Sequence, residues 1–339
     1  MSRIRKITQI FILCIVTISS YAQGNLFEEQ SILEIEIIGD LKELFYDVNP
    51  QNARYHDIII YYLYADTSVS LPAKAMTRGI FRRDKSNCKI PPLAIKPQKI
   101  NDPIFNTSQR IKLVNPCMNT KRAQQHIIKE YYAYRIYNIL SDYSFKVRLV
   151  RLIYLDRFGK YKNFITYGIL IEPVKWLAKR TKTKEIETQG IIQNATYRPV
   201  LDVMTMFQYL IGNTDWSVPK LHNIKLLYHD SLTSVIPVPY DFDFCGFVTP
   251  PYTKPPEIIP ITNVRERYYR GNCRQKLELN FTIDFFIKKK PEIMNLLTAD
   301  SLLTVRNKND ILEYIDMFYN TLSDPKLVKR EFIDNCRNE

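Results

Sequence analysis

The stretch that decides the fold prediction is residues 201–246, which read LDVMTMFQYLIGNTDWSVPKLHNIKLLYHDSLTSVIPVPYDFDFCG. Residues 203–211 are mostly apolar and end in a Gly-Asn-Thr-Asp turn, a pattern that predicts a helix followed by a loop. Two short apolar runs, residues 224–228 and 234–238, come next and predict a pair of β-strands. This stretch is therefore expected to form a helix, a polar loop and a hairpin.

Acidic and amide side chains flank the predicted hairpin. Asp215 and Asn223 lie in the loop before it, and Asp241 and Asp243 follow its second strand. In phosphoryl transfer one carboxylate orients or deprotonates the attacking hydroxyl, while an amide and a second carboxylate hold the metal ions that bridge the phosphates. Two or three protein ligands suffice for Mg²⁺, because water and nucleotide oxygens complete its coordination. In the alternative interpretation Asp215 and Asn223 are turn residues, and Asp241-Phe242-Asp243 is a solvated strand end.

The amino terminus has the features of a secretory signal peptide. Three basic residues are followed by an apolar run over residues 10–18 and by Ser20-Tyr21-Ala22, which is a typical cleavage site. We therefore predict a signal peptide over residues 1–22 and an exported protein of the periplasm, the cell surface or the medium. No other apolar stretch is long enough to cross a bilayer, so the mature chain is expected to lack a transmembrane segment.

The chain is basic, with a formal net charge of +13 over 339 residues. Such an excess favours an acidic partner, namely a nucleotide, a nucleic acid, a polyanionic glycan or a membrane surface. The sequence carries no zinc-finger or RNA-binding signature, and it has no basic helix with interleaved aromatic residues. No nucleic-acid partner is therefore expected.

Five cysteines follow the predicted signal peptide, and export would allow them to form disulfides. Cys88 with Cys117 and Cys245 with Cys273 are possible pairs, although spacing alone does not determine the connectivity. The sequence has no CxxC pair and no HExxH motif, so a zinc site is not expected.

The rest of the sequence divides into a strand-rich part and a mostly helical part. Apolar residues at helical spacing predict a long amphipathic helix over residues 124–140. Strands are predicted before and after it, over residues 31–38, 57–64, 93–96, 110–114, 147–155 and 163–171. Beyond residue 174 helices are expected, apart from the hairpin, at residues 281–287, 291–297 and 311–322.

Several short pieces, in this order, resemble the CotH spore-coat kinase-like family, an atypical branch of the protein-kinase-like fold, and more distantly the HipA-type kinases. The resemblance spans roughly residues 75–246, about half of the chain, and no single piece is specific by itself. The pieces are Arg78-Gly79 with Arg82, Leu93-Ala94-Ile95-Lys96, Lys129-Glu130-Tyr131, residues 167–172, Gly212-Asn213-Thr214-Asp215, His222-Asn223 and Tyr240-Asp241-Phe242-Asp243.

The resemblance implies an α+β, two-lobed protein-kinase-like fold. A signal peptide (residues 1–22) would precede a strand-rich N-lobe with one long helix (residues 23–173). A mostly helical C-lobe (residues 174–339) would carry the catalytic hairpin. The implied ligands are ATP or another nucleotide with Mg²⁺ or Mn²⁺.

The resemblance also implies roles for individual residues. Lys96 would contact the nucleotide phosphates with Glu130 as its helix partner, and Lys112 competes with Lys96 for this role. Asp215 would be the catalytic carboxylate. The remaining roles are phosphate contacts for Arg78 and Arg82, the adenine-binding hinge for the strand that ends at Glu172, metal ligands for Asn223 and Asp241, and a supporting or second-metal ligand for Asp243.

Three departures from the kinase pattern stand out. Asn223 follows Asp215 by eight positions, whereas five separate the corresponding residues of kinase catalytic loops, so either the loop bulges or one assignment is wrong. The chain has only nine glycines and no glycine-rich phosphate loop. Residues 243–246, Asp-Phe-Cys-Gly, also resemble a DFG motif with one insertion, but Asp241 directly follows the apolar strand and is preferred as the metal ligand.

Taken together, these features predict an exported CotH-like kinase that transfers phosphate from a metal-bound nucleotide to a protein or glycan acceptor. One alternative is a catalytically inactive kinase-like module of the cell envelope that binds a surface polymer or a partner protein. Another is a phosphate-directed hydrolase that uses the same carboxylates. An inactive module needs neither Asn223 nor Asp241, and the presence of both favours the enzyme.

Overall fold

The structure, a computed structural model, describes residues 26–98 and 101–338. The predicted signal peptide lies outside these residues, so export stays a prediction. Within the described ranges, no helix combines the length and apolar character needed to cross a bilayer.

A closed β-barrel forms the first half of the described chain. Six neighbouring pairs of its strands are antiparallel, and the barrel closes where the first strand pairs in parallel with the sixth, from Leu33 opposite Val150 to Gly39 opposite Asp156. The order around the barrel is β1-β2-β3-β4-β5-β7-β6. Its strands are β1 (Leu33–Gly39), β2 (His56–Tyr64), β3 (Thr67–Thr77), β4 (Leu93–Pro97), β5 (Ile111–Val114), β6 (Val147–Asp156) and β7 (Phe164–Ile171).

The barrel interior is one of two hydrophobic cores. Successive side chains of a strand point to opposite faces, so alternate residues of each strand fill the interior. On β4 and β5 these are Leu93, Ile95, Ile111 and Leu113, which are fully buried. The residues between them, among them Lys112, lie on the outer face of the barrel.

Two helices, α1 (Leu41–Tyr46) and α2 (Lys121–Leu140), lie between barrel strands along the chain and pack against the barrel, and the remaining helices and a small antiparallel sheet form the second half. Helix α2 contacts β6, β7 and α5, and it contributes many residues to the second hydrophobic core. The sheet has the order β10-β9-β8, with β8 (Lys184–Ile186), β9 (Ile224–Tyr228) and β10 (Ile236–Pro239). The other helices are α3 (Val174–Arg180), α4 (Arg198–Leu210), α5 (Lys276–Thr298), α6 (Val305–Ser323) and α7 (Pro325–Val328).

The predicted fold class, an α+β two-lobed protein-kinase-like fold, is wrong. The described residues form a closed seven-stranded barrel with mixed parallel and antiparallel pairing, together with seven helices, instead of a strand-rich N-lobe and a helical C-lobe. Closure depends on the pairing of β1 with β6. Strands more than 100 residues apart along the chain leave no local pattern that predicts such a pairing.

Most individual elements agree with the prediction to within a few residues, but several differ, among them β8 and α7, which were not predicted. Strand β3 was not predicted, because Pro72 interrupts its apolar pattern; Ala65 and Asp66, both with positive φ, form a two-residue turn that pairs it with β2. The two helices predicted over residues 281–287 and 291–297 are one continuous helix, α5, with Pro291 inside it.

Two disulfides connect segments that are distant along the chain. The bond between Cys88 and Cys117 confirms the first possible pair and links the end of the β3–β4 connection to the start of α2. The second predicted pair is wrong, because Cys273 is bonded to Cys336 while Cys245 is a buried free thiol. Cys245 is fully buried and directly precedes Gly246, which lies against Tyr314 of α6.

Replacing Cys88 and Cys117 by serine should lower the free energy of unfolding by about 2–4 kcal/mol, because the unfolded chain loses a cross-link that closes a long loop. Urea denaturation under non-reducing conditions measures this change. Peptide mapping of the unreduced protein is the control and should recover peptides linked through Cys88–Cys117 and Cys273–Cys336. An unchanged urea midpoint, or a linked peptide that contains Cys245, would contradict the observed connectivity.

Candidate functional site

The loops that carry the predicted site residues are paired with each other. One follows α4 and the other follows β10. Gly246 N donates to Gly212 O at 3.1 Å, and Phe247 N donates to Ile211 O at 3.0 Å. This pairing places the loop that carries Asp215 beside the one that carries Asp243.

The pairing requires glycine in both loops. Gly212 has a φ of +63°, and a Cβ atom at Gly212 or at Gly246 would overlap the hydroxyl of Tyr314, a buried residue of α6. That hydroxyl donates a hydrogen bond to Arg265 O at 3.1 Å. The Tyr314 side chain therefore fills the space that the two glycines leave open.

Asp215 and Asn223 are in direct contact. The Asn223 amide nitrogen donates to Asp215 O at 2.8 Å and to Asp215 Oδ2 at 3.0 Å, while His222 Nε2 lies 2.7 Å from Asp215 Oδ1. Ser217 and His222 form a two-way backbone pair at 2.9 and 3.0 Å, which closes the intervening residues into a small loop. The loop therefore bulges, as one of the two sequence alternatives proposed, and Asn223 remains beside Asp215 despite the eight-residue spacing.

Buried partners hold the Asp215 loop in place. Asn213 Oδ1 accepts a hydrogen bond from Asp215 N at 2.9 Å, and the Asn213 amide nitrogen donates to Gln208 Oε1 at 2.9 Å. The Arg270 guanidinium donates to the carbonyls of Thr214 and Trp216 and lies 5.1 Å from the centre of the indole ring. No role was predicted for Arg270, which lies in a segment rich in arginine and tyrosine.

Asp241 and Asn223 both adopt the left-handed backbone conformation, with φ of +64° and +52°. Asp241 N donates to the hydroxyl of Tyr134, on α2, at 2.8 Å, and Tyr240 N donates to Asn223 O at 3.0 Å. Among the described residues, the Asp241 carboxylate and Asn223 Oδ1 have no hydrogen-bond partner. Left-handed geometry costs less at asparagine and aspartate than at other non-glycine residues, and the hydrogen bonds above maintain it at both positions.

A buried arginine joins two buried carboxylates. Arg82 Nη1 lies 3.7 Å from Glu130 Oε2 and 3.6 Å from Asp243 Oδ2, and the Tyr252 hydroxyl donates to Asp243 Oδ2 at 2.8 Å. Burial and the nearby charge of Asp241 together raise the pKa of Asp243 to about 6, against the effect of Arg82. Burial and the charge of Asp243 likewise raise the pKa of Glu130 well above its usual value. One guanidinium therefore compensates two carboxylates only in part, and Glu130 Oε1 is buried without a partner.

The expected ion pair between Lys96 and Glu130 does not form, because Arg82 is the partner of Glu130. Lys96 is exposed at the end of β4, and its ammonium has no partner among the described residues. Arg82, which was predicted to contact phosphates, is itself buried and also donates to Asn115 O.

The lysine that faces the acidic residues is Lys112, the competing candidate. Lys112 pairs with Ala94 on the outer face of the barrel, and its ammonium lies 4.4 Å from the centre of the Tyr240 ring. Burial and the nearby charge of Arg78 together lower the pKa of Lys112 to about 8, while Asp241 opposes this shift. The alternation of β5 places this side chain, but β5 was too short a pattern to rank Lys112 above Lys96.

The other two predicted cofactor-binding residues differ in their surroundings. Arg78 directly follows β3 and is half-buried, and its charge acts on Lys112 and Glu130. Its side chain has no partner among the described residues, so it can contact a ligand. The Glu172 carboxylate is fully used within the fold, since it accepts two hydrogen bonds from Arg180 at 3.0 and 3.2 Å and one from Lys146 N at 3.0 Å.

The donor set fits a hard cation that shares its coordination with a ligand. Within the described ranges, no group of three or more histidine, cysteine, aspartate and glutamate side chains is arranged to hold a metal by itself. The free carboxylate of Asp241, the nearby Asp243 and the amide oxygen of Asn223 are hard oxygen donors of the type that Mg²⁺ prefers. Phosphate oxygens and water would have to complete the coordination.

Comparison of the chain with models of known protein families gave no match, and comparison with curated proteins gave none either. The chemistry of the site therefore rests on its own geometry. This geometry combines a half-exposed carboxylate held by an amide and an imidazole, a free carboxylate beside it, and a half-buried lysine and arginine across from them.

Replacing Gly212 by alanine should lower the free energy of unfolding by about 2–4 kcal/mol, because it adds left-handed backbone strain to an overlap with Tyr314. Urea denaturation measures the change. The same substitution should cost less in a Tyr314→Phe background, which lacks the overlapping hydroxyl. Gly190→Ala is the matched control, because Gly190 has a φ of +84° with open space around it, so only the backbone strain remains. Equal costs for the two glycines would rule out the steric role of Tyr314.

Lys112 should titrate near pH 8, far below an ordinary lysine, because its ammonium is removed from water beside a second cation. NMR of the ¹³C-methylated protein measures this pKa, with the signal assigned by its loss in Lys112→Arg. Lys85 is an internal comparison, since burial also lowers its pKa to about 8, and its signal is assigned by Lys85→Arg. A Lys112 signal that titrates above pH 10 would show that the ammonium is solvated and turned away from the site.

Proposed function

We propose that this protein is a phosphotransferase that moves a phosphate from a nucleotide bound with Mg²⁺ or Mn²⁺ to a hydroxyl of a protein or glycan acceptor. The observation that carries this proposal is the meeting of Asp215, Asn223, Asp241 and Asp243 across two paired loops, with Lys112 on the opposite side. The resemblance to the CotH family implies the same activity. The site supports it without any appeal to the fold class.

Each side chain has a physical role in this proposal. Asp241, Asp243 and Asn223 Oδ1 would hold the metal, which when bound neutralises phosphate charge. Lys112 and Arg78 would contact the phosphate oxygens from the barrel side. A bound cation would also balance the surplus negative charge of Glu130 and Asp243, which Arg82 compensates only in part.

Asp215 is placed to act on the acceptor. Its side chain is 35% exposed, so an incoming hydroxyl can reach it, and its two oxygens are oriented by His222 and Asn223. A carboxylate held in this way can orient the hydroxyl and accept its proton. Removing one such electrostatic group from a catalytic site typically lowers the rate by about 10²–10³.

A second candidate function is a binding module without catalysis. The observation that favours it is that both oxygens of Asp215 are already engaged within the protein, which weakens Asp215 as a base. In that case the nucleotide or another phosphate ligand would bind without transfer.

ATP with Mg²⁺ or Mn²⁺ should stabilise residues 23–339 against thermal unfolding, whereas ATP alone or metal alone should not. Ligand that binds only the native state at about 100 times its Kd adds roughly 2.7 kcal/mol of stability. Asp241→Ala should abolish this shift, because it removes the free carboxylate. Differential scanning fluorimetry measures the shift. Asp284→Ala, at an exposed position of α5, is the matched control and should leave it intact.

Asp215→Asn separates the two candidate functions. For the enzyme, this variant should retain the metal-dependent shift while ATP turnover to water or to an acceptor falls at least about 100-fold. A module without catalysis would bind ATP equally well in both forms and turn it over in neither. If well-folded protein shows no shift with any nucleotide and metal, the phosphotransferase proposal is wrong.

A further inference from the structure

A cavity of about 470 Å³ lies between the first turns of α2, the start of α6 and the segment around Arg265. It is called the basic pocket below. Four cationic side chains line it from these three parts of the chain, together with a single carboxylate. They are Arg122, Lys129, Arg265 and Arg306, and the carboxylate is Asp310.

The charges in the basic pocket are not balanced. Asp310 is the partner of both Lys129, at 2.9 Å, and Arg265, at 3.1 Å. Arg122 and Arg306 have no acidic partner among the described residues. Four positive charges therefore face one negative charge, which leaves a local charge of about +3.

Lys129 shows that this imbalance extends into the protein interior. Its side chain is only 3% exposed, yet an ammonium has three donors and a single one of them is used, in the bond to Asp310. A buried charge with unused donors is costly unless a ligand or water satisfies it. The lining therefore contains a nearly buried cation that is ready to bind an acceptor atom.

Neighbouring hydrogen bonds hold the walls of the basic pocket in place. Gln125 Oε1 accepts from Thr304 N at 2.8 Å and from Asn307 Nδ2 at 3.0 Å, which joins α2 to the start of α6. The Arg265 guanidinium lies 4.8 Å from the centre of the Tyr314 ring. Lys129 and Arg265, which Asp310 also contacts, are thus positioned before any ligand arrives.

His126, which also lines the pocket, supplies hydrogen bonding without charge near neutral pH. Burial and the charges of Lys129 and Arg122 together lower the pKa of His126 to about 4. Arg122 and His126 also line a smaller cavity, of about 210 Å³, that is bordered by Glu130 and Asp243. The basic pocket therefore lies next to the candidate functional site but has the opposite charge.

We propose that the basic pocket binds a phosphate group, either as free inorganic phosphate or as a phosphate ester carried by a larger ligand. A phosphate offers several strong acceptor oxygens and about two negative charges, which match the unpaired guanidinium groups and the unused donors of Lys129. The acidic residues around Asp241 would need a bound cation before they could take up such a group, whereas the basic pocket needs none. This proposal does not depend on the proposed phosphotransferase activity.

The test is isothermal titration calorimetry, which measures the Kd of residues 23–339 for inorganic phosphate, tripolyphosphate and O-phosphoserine at low ionic strength. The variant Arg122→Gln/Arg306→Gln should raise the Kd of the best of these ligands at least about tenfold, because it removes two charge-assisted contacts. Both residues are exposed and have no acidic partner, so the variant should fold normally. The matched control is Arg110→Gln/Arg157→Gln, which makes the same charge change at exposed arginines that do not line the pocket, and it should leave the Kd unchanged.

Asp241→Ala should also leave this Kd unchanged, which distinguishes the basic pocket from the proposed nucleotide site. Tightest binding of inorganic phosphate would identify a free anion as the ligand, and tighter binding of O-phosphoserine would identify a phosphate ester. The proposal is overturned if none of the three ligands binds saturably. It is also overturned if the pocket variant binds as tightly as the natural chain, or if the control variant loses as much affinity.

Discussion

The buried guanidinium of Arg82 connects the three parts of the protein on which the candidate site depends. Arg82 follows β3 and therefore belongs to the barrel, Glu130 belongs to α2, and Asp243 follows β10. Removing one member of such a buried group leaves an uncompensated charge, which is far more destabilising than the loss of a surface ion pair. A change in the charge of Glu130 or Asp243 would therefore affect how firmly the barrel, α2 and the hairpin are held together.

Several other features of the site are unfavourable by themselves and are maintained by the surrounding structure. Asn223 and Asp241 have left-handed backbones, Glu130 Oε1 is buried without a partner, and the ammonium of Lys112 is partly removed from water. The tertiary contacts that maintain them include the bond from Asp241 N to Tyr134 and the insertion of Tyr314 between two glycines. This pattern, in which local strain and unbalanced charge are concentrated at one place, supports a ligand site more strongly than any single residue does.

Helix α2 organises the charge of the molecule. Glu130 contacts Arg82 near the acidic loops, whereas Arg122, His126 and Lys129 line the basic pocket on the adjoining surface of the same helix. Arg122 and His126 also line the smaller cavity that Glu130 borders, so the two regions lie next to each other. Because the net charge of +13 is a property of the whole chain, it does not reveal that positive charge is concentrated here and negative charge beside it.

Features that depend on residues close together along the chain were predictable from the amino-acid sequence. Apolar periodicity predicted α2 and most barrel strands, and the run of polar residues around the hairpin predicted that Asp215, Asn223, Asp241 and Asp243 lie close together. Three features depend on the packing of distant segments and could not be predicted. They are the closure of the barrel by β1 and β6, the pairing of Glu130 with Arg82 instead of Lys96, and the bond between Cys273 and Cys336. A local sequence pattern indicates which face of a helix or strand is apolar. Contacts between residues far apart along the chain depend instead on how those apolar faces pack together.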